Sequence, residues 1–98
     1  MTEFQDALEA FTRHLLGSDL VENVGPVGQR CTDTILDTDE ERDHAHFLLM
    51  TFRDRAQADR AVAHIENRIR PGVEKHDSMY RHISDPVFIC WEDVPPSR

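Results

Sequence analysis

Residues 46–52 read His46-Phe47-Leu48-Leu49-Met50-Thr51-Phe52, and residues 53–69 continue as RDRAQADRAVAHIENRI; this passage decides the fold class. In its first part Phe47 and Leu49 fall on one alternation and Leu48, Met50 and Phe52 on the other. That pattern predicts a strand buried on both faces. In its second part Ala58, Ala61, Val62, Ile65 and Ile69 recur at helical spacing, with Asp54 placed to cap the start and Gln57 at the third helical position. Glu66 and Arg70 form an i, i+4 pair, and Pro71-Gly72 stops the helix. A strand feeding an amphipathic helix is the repeating unit of an α+β or α/β layer.

Upstream, Phe4, Ala7, Leu8, Phe11 and Leu15 draw a second helical stripe. Thr2 with Gln5 reads as a capping box, Glu9 and Arg13 as an ion pair, and Gly17 as the stop. Residues 18–28 read as a turn region, in which Leu20, Val21 and Val24 pack down or begin a strand. Val27 to Thr38 reads as a strand, with Arg30, Thr32, Thr34 and Leu36 on one face and Cys31, Asp33 and Ile35 on the other. Asp37 to Asp43 carries six charges, five of them acidic, and reads as a solvated hairpin loop. It lacks the spaced oxygens and central glycine of a calcium loop.

Downstream, Val73, His76, Tyr80 and Ile83 predict a short third helix within 73–83, and Asp85-Pro86 breaks it. Val87 to Trp91 (VFICW) reads as a last strand, again apolar on both faces, and residues 94–98 form a short tail. The expected order is therefore helix, strand, strand, helix, strand. Helices sharing one geometry, each followed by strands, suggest a duplicated half of a split βαβ arrangement.

The chain has 98 residues, room for one domain over residues 1–98, and a formal charge of −8. Acidic surface repels phosphate backbones and anionic lipid, so neither nucleic acid nor membrane is an expected partner. No signal-peptide pattern opens the sequence, and Cys31 and Cys90 lack CxxC spacing. The expectation is a cytoplasmic protein with two buried, reduced thiols.

The passages AHFLLMTFRDRAQADRAVAHI (45–65), GVEKH (72–76) and DPVFICWEDVP (85–95) resemble the ferredoxin-like dimeric α/β-barrel superfamily. Within it they are most similar to an uncharacterised family of bacterial ferredoxin-like proteins. The likeness spans about residues 3–95 and lies in the layout of elements. It implies an antiparallel sheet with helices on one face, two copies closing a dimeric barrel, and a cavity near the segment before the last strand. Such folds open on a strand ahead of the first helix, whereas here the capping box begins at Thr2. A missing central strand would leave a gap for a partner subunit or a rearranged sheet to fill.

Candidate chemistry is sparse. His76 and Tyr80 are i, i+4, so on a helix they stand together, where an imidazole beside a phenol can orient a ligand or move a proton. With Trp91 they form the expected ligand-binding set. His44 and His46 would share one face of a strand, with Cys31 or a carboxylate as a third donor; this is the nearest approach to a metal site, and none is assigned. No phosphate-binding glycine loop, nucleophile elbow or zinc-protease motif is present, and no cofactor is implied. The leading expectation is a homodimeric small-ligand-binding or regulatory module with a small hydrophobic ligand. The alternatives are a cofactor-free monooxygenase- or isomerase-like enzyme on an aromatic or polyketide-like substrate, and a purely structural partner protein.

Overall fold

The computed structural model describes residues 2–96, with side chains from residue 3. The Thr2 side of the expected capping box lies outside the described residues. The elements are α1 (Thr2–Gly17), β1 (Asn23–Gln29), β2 (His46–Thr51), α2 (Arg55–Glu66) and α3 (Gly72–Tyr80). The chain is α+β, with three helices and one two-stranded antiparallel sheet among the described residues.

Each helix forms for the reason its sequence gives. In α1 the stripe places Phe11 and Leu15 in the core, with Phe4, Ala7 and Leu8 packed beside them. The Asp54 side chain caps α2 by accepting the Gln57 N–H at 2.8 Å. Gln57 is fully buried and stays satisfied: its side-chain oxygen accepts the Arg53 N–H at 2.7 Å and its amide donates to the Asp19 carbonyl at 3.2 Å. That one amide ties the α1–β1 turn to the start of α2, which explains how a polar side chain stays in the interior. The shared core is Phe11, Leu15, Leu20, Val21, Ala61 and Met79, and Val24, Met50, Phe52 and Ile65 pack against it.

Strand β1 pairs with β2 through Val24↔Met50, Val27↔Leu48 and Gly28↔Phe47, with a shift of register between Val24 and Val27. Gly25 sits in this bulge at φ 80°, a left-handed conformation that glycine adopts without a Cβ clash. Gly28 lies under the ring of Phe47: a Cβ there would meet the ring at 1.8 Å. The aromatic ring thus covers the bare backbone opposite it.

Five expectations are corrected. The first strand runs over 23–29 rather than 27–38: the Gly25-Pro26 bulge bends the ladder without ending it, and the last cross-strand bond is from the Arg30 N–H to the Ala45 carbonyl at 2.8 Å. Arg30 instead gathers the acidic loop, donating to both carboxylate oxygens of Asp37 at 2.8 and 3.0 Å and to the Asp39 and Arg42 carbonyls. Strand β2 is covered on one face only; Phe47 and Leu49 remain exposed because the helices lie against the side of Val24 and Met50. Helix α2 ends at Glu66 rather than Ile69, where Arg68 takes a left-handed φ of 54° and Ile69 turns outward. Residues 87–91 form no strand, and Val87, Phe88, Ile89 and Trp91 are exposed. Cys31 and Cys90 are free, as expected, but both are exposed rather than buried. The order is helix, strand, strand, helix, helix; the third helix, Gly72–Tyr80, overlaps the expected segment 73–83 and begins on the glycine expected to stop α2.

The result is thin: 45 × 44 × 19 Å, with a radius of gyration of 15.2 Å. A compact chain of this length has a radius of about 13 Å. The extra span accompanies the loop between β1 and β2 and the extended segment after α3, which add no residue to the buried core.

Candidate functional site

Helix α3 brings together the residues that the sequence paired. His76 and Tyr80 stack with ring centroids 5.2 Å apart and planes 20° from parallel. Phe11 of α1 meets His76 edge-on at 5.4 Å, and Phe88 of the C-terminal segment lies parallel to Tyr80 at 6.5 Å. The four rings make a ladder from the core outward: Phe11 is buried, His76 and Tyr80 are half-buried, and Phe88 is 79% exposed. The inner end is fixed by packing and the outer end is open to solvent.

The polar edge of the ladder is anionic. His76 Nδ1 lies 3.2 Å from Asp77 Oδ1, and Arg68 donates to the other Asp77 oxygen at 3.3 Å. These partners, His76 first and Arg68 after it, hold the Asp77 carboxyl below the usual carboxylate range. The imidazole is thereby oriented with its face, not its edge, toward Tyr80.

Trp91 is not part of this group. It is 81% exposed, and among the described residues no aromatic ring stacks on it. Of the expected set, His76 and Tyr80 stand together, and the ring that lies parallel to Tyr80 is Phe88; residues 87–91 lie as an extended segment rather than as a strand within the sheet.

His44 and His46 do not converge on a third donor. His44 Nε2 donates to the Asp85 carbonyl at 2.7 Å, while His46 sits exposed at the start of β2. Among the described residues, no three His, Cys, Asp or Glu side chains gather in metal-binding geometry. No described helix is long and apolar enough to cross a membrane.

A second histidine pair went unnoticed in the sequence. His14 Nε2 of α1 and His64 Nε2 of α2 are 3.0 Å apart, a contact that needs one ring to donate and the other to accept. Both rings close over Gly72, the first residue of α3. The signal was available: His14 adjoins Phe11 and Leu15 on one stripe, and His64 adjoins Ala61 and Ile65 on the other. Burial, with His64 and Lys75 nearby, pushes His14 below the ordinary histidine value of 6.5. The unfolded chain therefore takes up its proton first as pH falls, so folded-state stability is full above the unfolded value and declines below it. The thermal midpoint is expected to fall between about pH 7.5 and about pH 5.5, a window that brackets the unfolded histidine value. The fall should be smaller in His14→Gln; an equal fall in both proteins would remove the pair as its cause.

Comparison with known proteins gives no matching family model, no matching curated protein and no matching solved structure. Functional reasoning therefore rests on the residues and their geometry.

Proposed function

We propose that the chain works as a homodimeric module that binds a small hydrophobic ligand on an aromatic platform built from Tyr80 and Phe88 beside His76. The supporting observation is the ladder's open end: Phe88 is 79% exposed while it lies parallel to a half-buried Tyr80. An aromatic face kept in water invites a flat apolar partner, since such stacking adds to the gain from buried area. The homodimer is supported by the wider apolar surface, which includes Phe47, Leu49, Val87, Ile89 and Trp91. Exposed apolar area on this scale marks interaction surfaces. The helices on one face of an antiparallel sheet are compatible with a ferredoxin-like layout, whose two-stranded sheet a second copy would extend.

The test uses N-phenyl-1-naphthylamine, a neutral aromatic probe that the protein's negative charge does not repel. Saturable binding is expected for the wild type. Phe88→Ala and Tyr80→Ala should each weaken it about tenfold, equivalent to about 1.4 kcal/mol. Ile35→Ser, which removes an even more exposed apolar side chain elsewhere, should leave it unchanged. Equal affinity in Phe88→Ala, a variant whose side chain the core does not hold, would discard the platform.

A further inference from the structure

We infer that two copies join by their C-terminal segments, residues 87–91 of each entering as a strand between β2 and residues 87–91 of the other. This rests on the homodimeric reading above and specifies how the two copies meet.

The first observation is a pair of unused backbone edges. Strand β2 is bonded to β1 along one edge, and among the described residues the sheet has no further strand on the other. Residues 87–91 make no backbone–backbone hydrogen bond among the described residues. Yet Val87, Phe88, Ile89 and Trp91 are residue types that favour strands, and Pro86 and Pro95 bound the segment where a ladder would end. One copy thus carries both an unpaired edge and an unpaired strand-forming segment, which is what a self-complementary contact requires.

The second observation is direction. The His44 side chain, just before β2, holds the Asp85 carbonyl at 2.7 Å, and Arg55, just after β2, pairs with Glu92. Residues 85–92 therefore run the same way as β2, tethered by side chains at both ends and joined to it by no backbone bond. In an antiparallel sheet, two strands with the same direction are separated by one position, about 9.6 Å across at twice the usual strand spacing. The partner's residues 87–91, running the opposite way, suit that position. A two-fold axis between the two segments then gives one continuous sheet: β1, β2, the partner's segment, this segment, the partner's β2, the partner's β1. Every neighbouring pair is antiparallel.

Charge agrees with the direction of this placement. The antiparallel direction brings the partner's Glu92 and Asp93 toward His44 and His46, and the partner's Asp85 toward Arg53 and Arg55. Arg53 also pairs with Asp19 and Glu22, and Arg55 with Glu92, within one copy, so each contact joins an existing ion-pair network. Pairing of this kind is carried by backbone hydrogen bonds along the strand edges, and it leaves the side chains of 87–91, Phe88 among them, on the faces of the sheet.

Ile89→Pro provides the test. It removes a backbone N–H that the single chain does not use, from an exposed residue, so the fold of each copy should survive unchanged by circular dichroism. The mass in solution should fall from that of two chains to that of one. In Cys31→Ser, where Cys90 is the only thiol, a short bis-maleimide should link two copies. A wild-type dimer whose mass is unaffected by Ile89→Pro, or which Cys90 does not cross-link, would overturn the exchange while keeping the homodimer; face-to-face pairing through Phe47 and Leu49 would then take its place. A wild type with the mass of one chain would overturn the homodimer itself.

Discussion

Replacing Leu15 by alanine is expected to lower the stability by about 2–5 kcal/mol, as full truncation of a core leucine does when the site cannot collapse. Leu15 is 1% exposed and lies at the centre of the cluster in which α1 meets Leu20, Val21, Ala61 and Met79. Those neighbours come from the helices and from the turn into β1, so no single element can move to fill the space. Domains have only about 5–15 kcal/mol of total stability, so this one truncation should bring the chain close to unfolding. Leu16 is the internal comparison: it is next in the same helix and 48% exposed. Leu16→Ala should cost less than about 1 kcal/mol, as partly exposed positions do. Urea unfolding of both variants decides the matter, and equal midpoints would contradict the placement of α1.

The second large effect is expected at Gly72. A Cβ there would lie 2.4 Å from His64 Nε2 and 2.5 Å from His14 Nε2, so both rings must turn away and their mutual hydrogen bond is lost. Overpacking of this kind costs about 1–3 kcal/mol. The sign is informative, because alanine in place of glycine in a helix would otherwise gain up to about 1 kcal/mol. Gly72→Ala should therefore be less stable than the wild type, and its stability should depend less on pH between neutral and mildly acidic conditions. A more stable Gly72→Ala would mean that the three helices do not meet at this glycine.

The parts of the fold that could be read from sequence were those with a local cause. The stripe of α1, the Asp54 cap of α2 and the His76–Tyr80 pair on α3 each depend on spacing within one element, and each appears in the structure. The errors share a different cause. Apolar residues on both alternations of 46–52 and 87–91 predict burial on both faces, but burial depends on what covers a strand. The helices of one chain cover one side, leaving Phe47 and Leu49 in water and residues 87–91 without a ladder. Arg30 was assigned to a strand face because the alternation continued through it. Its guanidinium fork, satisfied by Asp37 and by loop carbonyls, outweighs that preference and folds the acidic loop back. The contact between His14 and His64 spans 50 positions: the stripes place each ring beside a core-facing edge of its helix, but only the packing of α1 on α2 brings the two together.

At the candidate site, His76 and Tyr80 stand together as their i, i+4 spacing predicts, while no described aromatic ring stacks on Trp91. Phe88 rather than Trp91 lies on Tyr80, a choice set by how the chain turns at Asp85-Pro86. Asp85 takes a left-handed φ of 52°, and its carbonyl is held by His44.

The measurement that bears most directly on the central claim is the mass of the wild-type protein in solution by light scattering, across micromolar concentrations. The account predicts 11.3 kDa chains in pairs, because the apolar face of β2 and the apolar segment 87–91 are uncovered in one copy. A mass of one chain at every concentration would contradict it.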